Sequence, residues 1–259
     1  LSLPCGARTF LMMRPLGRTP RLSVPVALLF YLILGGMSNK LQFFSRADIM
    51  ELTTGKEAST MNEKVSAYFE GLRGKRIAVL GIGVSNRPLI RMLLDRGLTV
   101  LACDKTPREK LDDEVLELER LGATLHVGDG YLDSVQADVV FRTPGMHPDI
   151  PALRQLRESG AVVTSEMEAF FSVCPCRIIA VTGSDGKTTT TTLISEILKH
   201  AGYTVWLGGN IGTPLLPLAE QMKPDDLAVV ELSSFQLMGM NQSPHVAVVT
   251  NLSPNHLDI

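Results

Sequence analysis

Twice along the chain an apolar run ends in glycine, turns, and continues as a helix: RIAVLG-IGVSN-RPLIRMLL from Arg76, and RIIAVTG-SDG-KTTTTTLISEIL from Arg177. A strand that enters a helix through a glycine turn opens a βαβ unit, and the strand that follows lies parallel to the first. The class is therefore α/β, with open parallel sheets whose loops at the carboxyl ends of the strands are the places for ligands. The 259 residues suffice for two such units, and 45% apolar with 20% charged residues supplies both cores. No general attraction to nucleic acid or anionic lipid follows from a formal net charge of -2.

The first unit is expected over residues 61–172. Apolar runs at 76–81, 99–104, 124–127, 137–142 and 161–166 read as strands, and PLIRMLLDRG, KLDDEVLELERLG and PALRQLRESG between them read as helices. Its first turn, Gly81-Ile-Gly83-Val-Ser-Asn86, is a G-x-G-x-x-G fingerprint with asparagine for the third glycine. The first two glycines allow a tight turn and close approach of a diphosphate. Loss of the third is expected to shift the helix. Asp104 follows Gly83 by 21 residues, at the tip of the second strand, where such folds contact a ribose or base. A dehydrogenase binding NAD and a fold without ligand are the alternatives, although no hydride-transfer base is evident. Thr143-Pro144-Gly145 is either part of the ligand edge or a plain exit turn.

The second unit, 173–259, holds the stronger signal. Gly183-Ser184-Asp185-Gly186-Lys187-Thr188 is two residues shorter than the common phosphate loop, yet keeps its three working parts. Backbone N–H groups and a helix N-terminus face phosphate oxygens, Lys187 supplies a charge for the β/γ-phosphates, and the Thr188 hydroxyl suits Mg²⁺. In the threonine run, Thr189 is placed to help at the helix start, while later hydroxyls bond back to the helix or pack. DLAVVE ends in Glu231, a carboxylate positioned to hold the ion or its water. A third strand, VAVV, leads to Asn251, His256 and Asp258, and His256 is a candidate metal or substrate ligand. Cys5, Cys103, Cys174 and Cys176 are too few and too irregular for a disulfide framework and read as reduced thiols.

Residues 1–47 carry six basic side chains and no acid, around the apolar run Val24–Leu34, in the layout of a signal peptide. Eleven apolar residues are too few to span a bilayer. Residues 1–60 are therefore expected to be a leader outside the working protein, with Met61 as the functional start.

Five blocks in order, GIGVSN, TGSDGKTT, GGNIGTP, ELSSFQL and NLSPNHLD, resemble the Mur ligase family of ATP-dependent amide ligases. The resemblance covers about residues 74–259. It implies a Rossmann-like parallel-sheet domain that binds a UDP-linked substrate, followed by a P-loop-type α/β ATPase domain. ELSSFQL and GGNIG point to the branch that adds D-glutamate to UDP-N-acetylmuramoyl-L-alanine through an acyl phosphate. By this resemblance Gly183 to Thr189 hold ATP, Thr188 and Glu231 hold Mg²⁺, and His256 holds a second ion beside the reacting group. Val84, Ser85 and Asp104 match the uridine diphosphate site, and Asn210, Ser233 and Gln236 face the uridine-linked substrate. Lys105 and Thr106 depart from the family pattern, which puts uracil contacts there in question. The family's central domain continues past the histidine block and a third domain follows, so the reading expects a truncated, inactive ligase with an unpaired sheet edge. A cytoplasmic monomer with small-molecule partners is expected, with the membrane involved only if the leader is retained. A noncatalytic nucleotide-binding module is the alternative.

Overall fold

The computed structural model describes residues 10–12 and 58–253. A short strand, β1 (Phe10–Met12), is followed by helix α1 (Ala58–Glu70) and then by two sheets in succession. The first contains β2 (Ile77–Leu80), β3 (Val100–Asp104), β4 (Thr124–Val127), β5 (Val139–Arg142) and β6 (Val162–Thr164). Its order is β4-β3-β2-β5-β6, and every neighbouring pair is parallel. The order reverses at β2, so the crevice between the loops after β2 and β5 is the switch point where ligands of open sheets bind.

Helices α2 (Arg87–Asp95), α3 (Asp113–Arg120) and α4 (Pro151–Glu158) connect these strands. In α2, Leu89, Ile90, Met92 and Leu93 form the buried stripe. The Asp112 carboxylate caps α3 by accepting from the Val115 amide. Strand β2 is buried at all four positions because strands flank it and helices cover it. Each fully buried aliphatic side chain there contributes about 1.5–3 kcal/mol.

After α5 (Glu166–Val173) the chain enters the second sheet: β7 (Arg177–Thr182), α6 (Lys187–His200), β8 (Val205–Gly209), β9 (Leu227–Glu231), α7 (Ser234–Leu237) and β10 (Val246–Val249). The order is β1-β10-β7-β9-β8, parallel except that β1 lies antiparallel on β10, Phe10 opposite Val249 and Met12 opposite Ala247. The expectation of an unpaired edge beside the last strand therefore does not hold. Phe10–Met12 meet the backbone groups that β10 would otherwise leave open on that side.

Two helices differ in how far the sequence pattern shows them. Helix α5 buries Glu166, Met167, Ala169, Phe170, Phe171 and Val173, so it is apolar nearly all round and shows no amphipathic stripe. Helix α6 starts at Lys187 and takes in the whole threonine run, whose later hydroxyls are expected to bond back to the helix or pack. Thr191 is fully buried there and its hydroxyl bonds back to the Lys187 carbonyl at 2.7 Å.

The sheets share a seam. Leu215, Leu216, Ala219 and Met222, in and around the 3₁₀ turn Leu216–Gln221, join Val65, Phe69, Met167 and Phe170 in one apolar cluster. Arg96 reaches across to Glu220 at 2.6 Å, and its guanidinium lies 4.2 Å over the Phe69 ring. Among the described residues no helix is long and apolar enough to cross a membrane.

Candidate functional site

The loop between β7 and α6 is shaped by two glycines in left-handed conformations. Gly183 has φ +138°, and a Cβ there would stand 2.1 Å from the Thr250 hydroxyl oxygen and 2.9 Å from the Asn251 carbonyl oxygen. Gly186, with φ 75°, is the residue at which α6 begins. The first amides of α6 consequently point out of the loop with no intrahelical partner, a ready cradle for an anion. Lys187 folds back over that cradle and donates to the carbonyls of Gly183 (2.9 Å) and Ser184 (3.0 Å).

Beside the loop, β9 ends at Glu231, which is 1% exposed. Its carboxylate accepts from the Thr188 hydroxyl at 2.8 Å and from the Asn210 amide nitrogen at 2.9 Å. Asn210 also donates its backbone N–H to the Glu231 carbonyl at 2.8 Å. Three predicted residues from three separate segments thus meet at one carboxylate. The donor set fits Mg²⁺: a hydroxyl and a carboxylate oxygen adjoin at a surface-facing loop, and this hard cation keeps several waters and takes few protein oxygens.

Other parts of the site are not evident in the sequence. The segment after β10 clasps the loop: Asn251 accepts from the Asp185 amide (2.9 Å), Thr250 donates to the Asp185 carbonyl (2.6 Å), and Ser184 donates to the Ser253 carbonyl (2.8 Å). The only hint was the polar run that follows VAVV. His256 and Asp258 lie outside the described residues.

At the switch point of the first sheet, Asn86 stands where the fingerprint has its third glycine. It is 1% exposed, and its side-chain amide donates to the Gly81 carbonyl at 2.8 Å, stapling the turn shut. Asp104 accepts from the Ile82 and Thr106 amides at 2.7 and 2.9 Å. Burial works against its ionisation, but those amides outweigh burial and hold the carboxyl below its ordinary range. Its oxygens are thus engaged in ordering the loop. Val84 and Ser85 sit exposed at the loop tip, Val84 at 79%. Ser233 and Gln236 engage each other in a capping box that starts α7. Gln236 nonetheless lines a small cavity of about 10 Å³ with Ser85, Pro144, Glu166 and Gly209, so the loops of both sheets converge on one seam. A wider groove, about 470 Å³, opens at the opposite, amino-terminal edge of the first sheet beside Arg76 and Leu98.

Glu166 is also buried in that seam. Its carboxylate accepts from the Leu216 amide at 2.7 Å. Burial pushes its pKa up to about 7, with the amides of Leu216 and Leu215 opposing.

A sheet whose central strand runs through a short glycine loop into a helix, with a lysine, a threonine and a facing carboxylate, defines a P-loop-type α/β fold. Residues 181–259 match the Mur ligase middle domain, and over 200 residues the chain is similar to Mur ligases. It is 53% identical over 200 residues to a UDP-N-acetylmuramoylalanine--D-glutamate ligase of Clostridium botulinum, covering 77% of this chain and 44% of that protein. The enzyme of the same name from Acetivibrio thermocellus is 52% identical over 200 residues, covering 77% and 43%. The chain therefore spans under half the length of these relatives. Among solved structures, a UDP-N-acetylmuramate:L-alanyl-gamma-D-glutamyl-meso-diaminopimelate ligase of Neisseria meningitides is 22% identical with a TM-score of 0.45, covering 71% of this chain and 63% of that one.

Proposed function

We propose that the chain carries the uridine-substrate and ATP sites of an ATP-dependent carbon–nitrogen ligase that adds D-glutamate to UDP-N-acetylmuramoyl-L-alanine, a step of peptidoglycan precursor synthesis. The observation that carries this reading is the meeting of Lys187, Thr188, Asn210 and Glu231 at one sheet edge, in a chain 53% identical to relatives of that name. Residues 61–172 form the uridine-binding part and 173–259 the ATP-binding part.

A carboxylate does not accept an amine at neutral pH, because its oxygen is a poor leaving group. In the proposed reaction the substrate carboxylate attacks the γ-phosphorus of ATP, ADP leaves, and an acyl phosphate forms. The amine of D-glutamate then attacks the carbonyl carbon, inorganic phosphate leaves, and the nitrogen gives up a proton. The protein's share is positioning and charge neutralisation. Loop amides from Gly183 to Thr189 grip the phosphates, and Lys187 turns its ammonium from the loop carbonyls toward the transferred group. Thr188 and Glu231 are the residues that would hold Mg²⁺, which supplies charge neutralisation at the phosphates when bound. His256 takes a second ion in this reading. Asn210 orients Glu231, and Gln236 and Ser233 form the substrate-facing wall opposite Val84, Ser85 and Asp104. ATP and UDP-sugar substrates place the reaction in the cytoplasm.

Calorimetric titration with UDP-N-acetylmuramoyl-L-alanine tests the reading. Saturable binding that UDP displaces and NAD does not is the expected result. Saturable NAD binding without uridine binding would return the first sheet to the dehydrogenase alternative.

A further inference from the structure

Arg142 closes β5 with 1% of its surface exposed, and it is among the largest fully buried side chains of the molecule. A buried guanidinium is costly unless its donors are met. Its Nη1 donates to the Met146 carbonyl at 3.1 Å and, at 3.4 Å, to that of Pro144, while Nη2 has no protein partner. Glu168, on α5, likewise has a buried oxygen, Oε2, without a partner. Gly239, two residues past α7, lies between the two charged ends. A Cβ there would stand 2.3 Å from Arg142 Nη2 and 2.5 Å from Glu168 Oε1. Burial pulls the guanidinium below its ordinary pKa, and the Glu168 charge opposes that pull.

Three segments thus meet at this side chain: the turn after β5, α5, and the chain leaving α7. All three are walls of the seam cavity, since Pro144 of the turn, Glu166 and Met167 of α5 and Gln236 of α7 line it. An apolar side chain could fill the space equally well, but only the rigid fork of arginine bonds a turn's carbonyls while abutting the opposite wall. Replacing a buried, incompletely paired ion by an apolar side chain of similar volume is often neutral for stability. The charge is therefore better explained by geometry at the cleft than by folding.

We propose that Arg142 is a positioning residue for the uridine-linked substrate, fixing the Thr143–Met146 turn against the wall formed by α7 and Gly239 and so setting the gap between Pro144 and Gln236. This rests on the ligase reading above. Arg142 acts through the turn and does not itself touch substrate.

The test compares the unaltered chain with Arg142→Met, Arg142→Lys and Gly239→Ala, measuring affinity for UDP-N-acetylmuramoyl-L-alanine and for Mg-ATP by calorimetry, and thermal stability alongside. Arg142→Met is expected to weaken uridine-substrate binding about tenfold or more, the worth of one charge-assisted hydrogen bond, with Mg-ATP affinity held within about twofold. Arg142→Lys should recover part of the loss. Gly239→Ala, which presses on the same guanidinium from the other wall, should reproduce the selective effect. Unchanged uridine affinity in Arg142→Met, or equal losses for both ligands, overturns the proposal. Should Arg142→Met fail to fold, Gly239→Ala decides in the same way. If the unaltered chain binds Mg-ATP but no uridine substrate, the ligase reading itself falls, a result distinct from failure of the Arg142 assignment alone.

Discussion

Thr188 donates its hydroxyl hydrogen to Glu231 across 2.8 Å, joining the first turn of α6 to the end of β9. The two residues are 43 positions apart, and the parallel pairing of β7 with β9 brings them together. Asn210, from the end of β8, holds the other carboxylate oxygen. The pair is therefore preset: one carboxylate orientation serves a hydroxyl, an amide and, in the proposed function, a magnesium ion.

Thr188→Val keeps the volume and removes the oxygen. Its expected effect is confined to the magnesium-dependent part of nucleotide binding, a loss of about tenfold in ATP affinity with Mg²⁺ present. ATP affinity measured in excess chelator should be unchanged. Equal stimulation by Mg²⁺ in the variant and the unaltered chain would remove Thr188 from the ion's shell.

Gly183→Ala puts a Cβ into the Thr250 hydroxyl at a φ of +138°. The backbone cannot relax without opening the clasp formed by Thr250 and Asn251. A loss of about 1–3 kcal/mol in denaturant unfolding is expected, together with loss of Mg-ATP binding. A variant of unaltered stability would show that the clasp yields readily.

Glu166 predicts a pH dependence. Its folded-state pKa, near 7, lies above the unfolded value of 4.5, so the folded chain binds the extra proton between them. Stability from this group is present below the unfolded pKa and is lost as pH rises through about 7, by roughly 3 kcal/mol in all. Glu166→Gln keeps an acceptor for the Leu216 amide and abolishes the titration. His245, whose pKa burial and Arg177 lower, has the opposite sign in an overlapping window. The informative quantity is accordingly the difference between variant and unaltered stability over pH 4.5–8. It should grow in the variant's favour as pH rises, and parallel curves would contradict the buried-carboxylate account.

Much of this was legible in the residues, because strand, turn and helix are written locally. The runs ending at Gly81 and Gly183, the acid closing β9, and the Lys187–Thr188 pair all carry their signal within a few positions. Asp104 shows where that reach stops. An acid at a strand tip is visible in sequence, but its commitment to the Ile82 and Thr106 amides depends on how the neighbouring loop folds over it. Asn86 is similar: the missing glycine is plain, while its stapling of Gly81 is a tertiary fact. The Asn251 clasp needs the register that sets Val249 beside Thr182. Helix α5 escaped because burial on nearly every face erases the periodicity by which helices are recognised.

The central claim is that the short loop binds a triphosphate through Lys187, and calorimetric titration of Mg-ATP into the unaltered chain and Lys187→Ala tests it most directly. The account predicts saturable binding in the first and a loss of about 10- to 100-fold in the second, the worth of one or two charge-assisted hydrogen bonds. Equal affinity in both, or no uptake by the unaltered chain, would contradict it.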